Sequence, residues 1–265
     1  TADRIYEDDL FLIDELATIK KPTFVVRSKV DYSIERALRR NVSAVETISK
    51  IQKDLKENLQ GYRTKGIYLI SSDFPEQHDL PKLINDIGDV FNGAKREIWI
   101  KVVNVVSDEI LTKKRKLADK VVAQYAVLSA ASAIIPIPGL NISIDIGLLL
   151  KLGKEIQKIY GLNENEAYYS SLLGTNNAKI MSAKAAQFAT NFLRKEAIIQ
   201  ICKRFGIQVS AKIWGRYIPF VGTALSAGIG FKLASSVGYD MTNDAEKIAI
   251  ELFESLKKRG ETTTV

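Results

Sequence analysis

Phe24-Val25-Val26-Arg27-Ser28-Lys29-Val30-Asp31 is the stretch on which the fold turns. Pro22 to Arg27 is a β-rich run, like a buried parallel strand. Upstream, Leu12, Leu16 and Ile19 recur at helical spacing and predict a helix over Asp9 to Ile19. Downstream, Ser43 and Glu46 have capping-box spacing. Val45, Ile48, Ile51, Leu55 and Leu59 then mark one helix face, and Gly61 stops it. Ile67 to Ile70 is a second strand, and Asp79 and Pro81 open another helix. This alternation predicts an α/β layer with parallel strands and right-handed crossovers.

The pattern changes near Asn92-Gly93, beyond which strand signal is nearly absent. The expected organisation is residues 1–95 as an incomplete α/β domain and 96–265 as an all-helical domain. Helices are expected over Ile110 to Tyr125, Ser170 to Phe205 and Asp244 to Lys258, with an apolar small-residue run over Tyr217 to Val237. Ile135-Pro136-Ile137-Pro138-Gly139 and Ile218-Pro219-Phe220-Val221-Gly222 echo one another, as a repeated turn or as two unrelated ones. Val121 to Ile135 and Ile142 to Leu150 are each shorter than the ~20 residues a membrane span needs, so core helices are expected.

Hydrophobic residues make up 46% of the 265, enough for packed cores. The net charge of +7 favours anionic partners. Aromatic-basic interleaving is missing, which argues against nucleic acid. Cys202 is the only cysteine and reads as a buried core thiol. His78 is the only histidine, which excludes a histidine-based metal cluster. Lys113-Lys114-Arg115-Lys116 reads as a solvated helix face, with anionic lipid as the alternative. The first residues carry neither an apolar signal region nor a methionine, so the chain is expected to be a crop or a processed product.

The candidate chemistry lies in Ser28-Lys29-Val30-Asp31, directly after the first strand. Guanine presents two donors side by side, N1–H and the 2-amino group. A carboxylate at Asp31 accepts both, an arrangement adenine cannot reproduce. The stem of Lys29 covers the base plane while its ammonium stays wet. Ser71-Ser72 follows the second strand and supplies a second loop at a strand carboxyl end, where open α/β sheets bind ligands. The competing reading is two ordinary strand-to-helix turns, with Ser72 or Asp73 as a cap.

Phe24 to Asp31 resembles the Phe-x-Val-Arg-Thr-Lys-Val-Asp segment of the immunity-related (interferon-inducible) GTPases, with Ser28 in place of Thr. Tyr6 to Asp9, Asp73-Phe74-Pro75 through Leu83, Ser107-Asp108-Glu109-Ile110 through Arg115, and Met241 to Ala245 resemble further segments of that family, in order. The Ile-Pro-Ile-Pro-Gly stretch is also similar to membrane-linked helical domains of some bacterial GTPases. The resemblance implies the C-terminal part of a P-loop GTPase-type domain followed by a helical domain. It implies guanine binding by Ser28, Lys29, Asp31, Ser71 and Ser72, with GTP or GDP and Mg²⁺ in the complete protein. It further implies a dynamin-like protein of cell-autonomous immunity, cytoplasmic or peripheral on intracellular membranes, that self-associates or pairs with related GTPases.

A phosphate cradle needs Gly-x-x-x-x-Gly-Lys-Ser/Thr. Gly153-Lys154 comes nearest and fails, with Leu148 at the first glycine position and Glu155 at the last. Asp-x-x-Gly occurs nowhere. In the family these elements lie upstream, so the hydrolytic machinery is expected outside this chain, and the chain alone is expected to be inactive. The alternatives are a non-enzymatic membrane-associated helical module and a regulatory partner of a GTPase.

Overall fold

In the computed structural model, β1 (Phe24–Arg27) and β2 (Gly66–Leu69) pair in parallel, with Phe24 opposite Gly66 and Arg27 opposite Leu69. The structure describes residues 5–132, 141–205 and 223–262. The chain divides into two units, with Thr1–Arg96 in the first and Glu97–Arg259 forming the second.

The first unit opens with α1 (Glu7–Thr18). Ile13 is buried, whereas Leu12 and Ile19 are 56% and 62% exposed. The expected apolar face is thus displaced by one position, because Ile13 packs with Val25 and Leu59. The crossover from β1 to β2 holds two helices, α2 (Val30–Leu38) and α3 (Ala44–Asn58), where one was expected. Asn41, in the left-handed region at φ 59°, turns the chain between them. Ser43 Oγ accepts from Glu46 N–H at 3.2 Å and caps α3. Leu55 and Leu59 face inward as expected, but Val45, in the first turn, is 78% exposed. Val30, Leu55 and Leu69 form a second small core. α4 (Leu80–Asp89) starts after Asp79 with Pro81 in its first turn, where a missing N–H costs nothing. α5 (Gly93–Val102) follows, unanticipated, and the division between the units falls inside it.

The elements of the second unit among its described residues are all helices: α6 (Asp108–Ser132), α7 (Asn141–Tyr160), α8 (Glu166–Leu173), α9 (Thr175–Phe192), α10 (Lys195–Arg204) and α11 (Thr223–Thr262). The helix expected over Ser170 to Phe205 is three helices. Gly174 at φ 79° breaks it once and the extended Arg194 breaks it again. Conversely, the described part of the Tyr217–Val237 run and the closing helix both lie in α11, which runs through 40 residues. The two Pro-Gly echo segments lie outside the described residues.

One apolar core joins these helices, with Val122, Leu152, Ile156, Phe188, Ile198 and Met241 among its members. Cys202 is buried in it, as expected. No described helix is long and apolar enough to cross a membrane.

The Lys113–Lys116 run is not a solvated face. Lys114 is 1% exposed, and its Nζ donates to the carbonyls of Ile100 at 2.7 Å, Lys101 at 3.3 Å and Ile159 at 2.5 Å. Those carbonyls lie in the last turns of α5 and α7, where helices leave acceptors unpaired and carry partial negative charge. One ammonium therefore closes two helix ends. Arg115 reaches Glu246 of α11 at 2.6 Å, Asn243 at 3.0 Å and Asp119 at 3.1 Å. The two middle cations of the run are committed to packing, because α6 is surrounded on that side.

Candidate guanine-nucleotide site

The two loops singled out in the sequence emerge side by side at the carboxyl ends of β1 and β2. Ile70 N–H donates to Arg27 O at 2.8 Å, and Val30 N–H donates to Ile70 O at 3.2 Å. The ladder thus continues past both strands and fixes the spacing of the loops. Val30 is fully buried and anchors the first of them. Lys29 adopts the left-handed conformation (φ 58°, ψ 38°) as the N-cap of α2. A non-glycine residue there is uncommon and marks a loop whose shape is imposed by its surroundings.

Asp31 lies in the first turn of α2, half-buried, where the positive end of the helix favours a carboxylate. Its carboxylate takes no hydrogen bond or ion pair from the described residues. Ser28 is half-buried, and the exposed Lys29 side chain is equally uncommitted.

Ser71 and Ser72 have different duties. Ser71 is fully buried, and its Oγ accepts from the N–H groups of Asp73 and Phe74, both at 3.1 Å. It shapes the loop from within, while Ser72 is exposed beside it. No helix starts at Ser72 or Asp73: Ser71 Oγ holds a turn there, and α4 begins only after Asp79.

Two supporting residues escaped the sequence reading. Asp79 and Leu69 bond reciprocally: Leu69 N–H donates to Asp79 Oδ2 and Asp79 N–H donates to Leu69 O, both at 2.9 Å. That pair closes the base of the Ile70–His78 loop. Arg27, 6% exposed, sends its guanidinium to Ser33 Oγ at 3.4 Å, linking β1 to α2 beneath the motif. A charged residue ending an apolar strand was the available signal for it. Alongside, Tyr68 O–H donates to Asp86 Oδ2 at 2.6 Å. Burial, with the bond to Asp86 and the charges of Asp86 and Asp79, pushes the Tyr68 phenol up to about 12. Among the described residues no cluster of His, Cys, Asp or Glu has the makings of a metal site.

Parallel strands with two loops joined at their carboxyl ends, the first ending in a free carboxylate at a helix start, define an open α/β ligand site. The family described as interferon-inducible GTPase (IIGP) matches residues 1–221, and the chain belongs to it. Interferon-inducible GTPase 5 of Rattus norvegicus is 23% identical over 262 residues, covering 94% of this chain and 56% of the relative. The protein of the same name from Bos taurus is 22% identical over 255 residues, covering 92% and 55%. Interferon-gamma-inducible GTPase 10 of Mus musculus is 22% identical over 138 residues, covering 50% and 33%. The chain spans about half the length of the first two relatives.

Proposed function

We propose that this chain is the base-reading portion and helical domain of a GTP-binding, GTP-hydrolysing protein of cell-autonomous immunity. The observation that carries the reading is the Val30–Ile70 hydrogen bond, which sets the Ser28–Asp31 and Ser71–Ser72 loops side by side. Asp31 accepts guanine N1–H and the 2-amino group, and its uncommitted carboxylate suits that role. Lys29 lays its stem over the base, Ser28 borders the pocket, and Ser71 holds the loop from which a Ser72 backbone N–H meets the guanine O6. GTP or GDP with Mg²⁺ is the ligand of the complete protein. This chain carries no phosphate-cradling glycine-lysine motif, so its own contribution is base recognition.

In this reading residues 1–95 are the C-terminal half of the GTPase domain and residues 96–265 its helical domain. The complete protein works in the cytoplasm and peripherally on intracellular membranes, by nucleotide-dependent assembly with itself or with related GTPases. Calorimetry of the chain with GTP and Mg²⁺ tests the assignment. Weak or undetectable binding is expected, since phosphate and metal contacts supply much of a nucleotide's affinity. Submicromolar binding would overturn the division of labour. Vesicle sedimentation of the complete protein with and without GTP tests the membrane and assembly parts.

A further inference from the structure

α2 turns one face toward the core of the first unit. Val30, Ser33, Ile34 and Ala37 recur at helical spacing and are buried or half-buried, while Tyr32, Glu35, Arg36 and Leu38 are exposed. Val30 packs with Leu55 and Leu69, and Ile34 lies against that cluster. Ser33 is the polar member of the inward face. Its partner is the buried Arg27, the last residue of β1, whose Nη2–H donates to Ser33 Oγ at 3.4 Å.

Apolar burial is non-directional, so Val30 and Ile34 hold α2 against the core without fixing its rotation about its own axis. A hydrogen bond has a preferred direction, and the one between Arg27 and Ser33 supplies that angle. Its origin is firm, because the Arg27 carbonyl accepts from Ile70 N–H at 2.8 Å and ties the strand end to the second loop. A buried guanidinium costs desolvation, and an aliphatic pair would pack in its place at less expense. What the polar pair adds is geometry.

Asp31 is the residue for which that angle matters. It follows Val30 by about 100° around the helix and sits at the border of the inward face, half-buried. A carboxylate about 5 Å from the axis moves about 1 Å when the helix turns by about 10°. Hydrogen-bond lengths span only about 0.5 Å, so such a turn leaves one of two side-by-side donors unmet.

We infer that Arg27 and Ser33 are positioning residues for base selection: by fixing α2 in rotation they aim the Asp31 carboxylate at N1–H and the 2-amino group of guanine together. The inference rests on the reading of Ser28 to Asp31 as the guanine-reading loop. Its consequence is selectivity for GTP over inosine triphosphate, whose base keeps N1–H and lacks the 2-amino group.

The test measures the affinity of the complete protein for GTP, inosine triphosphate and tripolyphosphate, with circular dichroism alongside. The wild type is expected to prefer GTP over inosine triphosphate by about tenfold, the worth of one bond to a charged acceptor. Ser33→Ala, and separately Arg27→Met, should lower that ratio by about threefold or more while tripolyphosphate affinity holds. Ser33→Thr keeps the hydroxyl and should keep the wild-type ratio. A merely structural role would weaken all three ligands together and leave the ratio alone. Asp31→Asn separates the two levels, since it should abolish the preference whatever Ser33 does. If it does not, the guanine reading fails and this inference with it. If Asp31→Asn abolishes the preference while Ser33→Ala or Arg27→Met retains it, the base reading stands and the positioning role is overturned. A Ser33→Thr ratio as low as that of Ser33→Ala would overturn it as well.

Discussion

Val30 N–H donates to the carbonyl of Ile70 at 3.2 Å, three residues beyond the end of β1 and one beyond the end of β2. Because Ile70 N–H also donates to Arg27 O at 2.8 Å, the two loops are tied to each other at their bases. The loop after Leu69 is further closed by the Asp79 carboxylate, so the geometry of the proposed base site depends on a residue that never touches the base.

Asp79→Ala is expected to release that loop while leaving the β1–β2 pairing intact. The Leu69 N–H loses its acceptor, at a cost of about 1–2 kcal/mol. Amide exchange of Leu69 and Ser71 should accelerate more than that of Val25. In the complete protein, affinity for guanine nucleotides should fall while Asp31 is untouched. Unchanged exchange at Leu69 would show that its N–H has another partner.

Much of this was legible in the sequence where one residue carries a local instruction. Ser43 places the start of α3, Pro81 and Asp79 place α4, and the Phe24–Arg27 run places β1. α2 was missed because its first turn is the motif itself: Val30 and Asp31 read as loop chemistry while also beginning a helix behind a left-handed Lys29. Ser28, Lys29 and Asp31 were visible as candidates, since their types match what guanine presents. Asp79 and Arg27 as supports were not, since their partners Leu69 and Ser33 are fixed only by the fold. Lys114 is the extreme case. Within Lys113–Lys116 nothing local separates it from a wetted lysine, and its role exists only once α5 and α7 end beside it.

Lys114 predicts a pH dependence of stability. Burial pushes its ammonium down to about 7 from the ordinary 10.5. Between those values the unfolded chain binds more protons than the folded one, so this group makes stability rise with pH across that window and fall as pH drops toward 7. Tyr68 acts oppositely: raised from 10.0 to about 12, it contributes stability below the first value that is lost as pH climbs through the second. Burial raises Tyr125, Tyr160, Tyr168 and Tyr169 in the same sense as Tyr68, so the Lys114 effect is read below pH 9: urea midpoints should increase from pH 7 to pH 8.5. Lys114→Met should flatten that rise and, by stripping the helix-end carbonyls of their donor, destabilise by about 2 kcal/mol. A wild-type midpoint that declines steadily from pH 7 would contradict this.

Two glycines of α11 should respond to alanine with opposite signs. A Cβ at Gly238 would meet Val122 Cγ1 at 2.8 Å, Val122 Cγ2 at 2.9 Å and Leu152 Cδ2 at 3.0 Å. Val122 and Leu152 are themselves buried in the core and have little room to yield. Gly238→Ala should destabilise by about 1–3 kcal/mol through overpacking. Gly228 is exposed, with nothing within 4 Å of a built Cβ. There the better helix propensity of alanine should stabilise by about 0.5–1 kcal/mol. Thermal or urea unfolding of the two variants decides it, and a shared sign would mean that α11 does not pack on α6 and α7 as described.

Asp31→Asn addresses the proposed base recognition itself. In the proposed base site of the complete protein, Asp31 would accept from guanine N1–H and from the 2-amino group. Asparagine at the same place offers one acceptor and one donor, so its N–H₂ meets the guanine amino group and the pairing fails. Xanthine carries a carbonyl at that position, and the pairing becomes complementary again. A mismatched buried polar contact costs about 1–3 kcal/mol, or about one to two powers of ten in affinity. Folding should be little affected. The change is nearly isosteric, the carboxylate takes no bond from the described residues, and only its helix-dipole contribution, about 0.3–1 kcal/mol, is forfeited. Binding and hydrolysis of GTP and xanthosine triphosphate by wild type and variant, with circular dichroism as control, give the answer. A variant that keeps the wild-type preference for GTP would remove Asp31 as the base reader. Because Val30–Ile70 holds the Ser28 and Ser71 loops together whatever they bind, that result would leave the fold standing and the nucleotide assignment without its specificity residue.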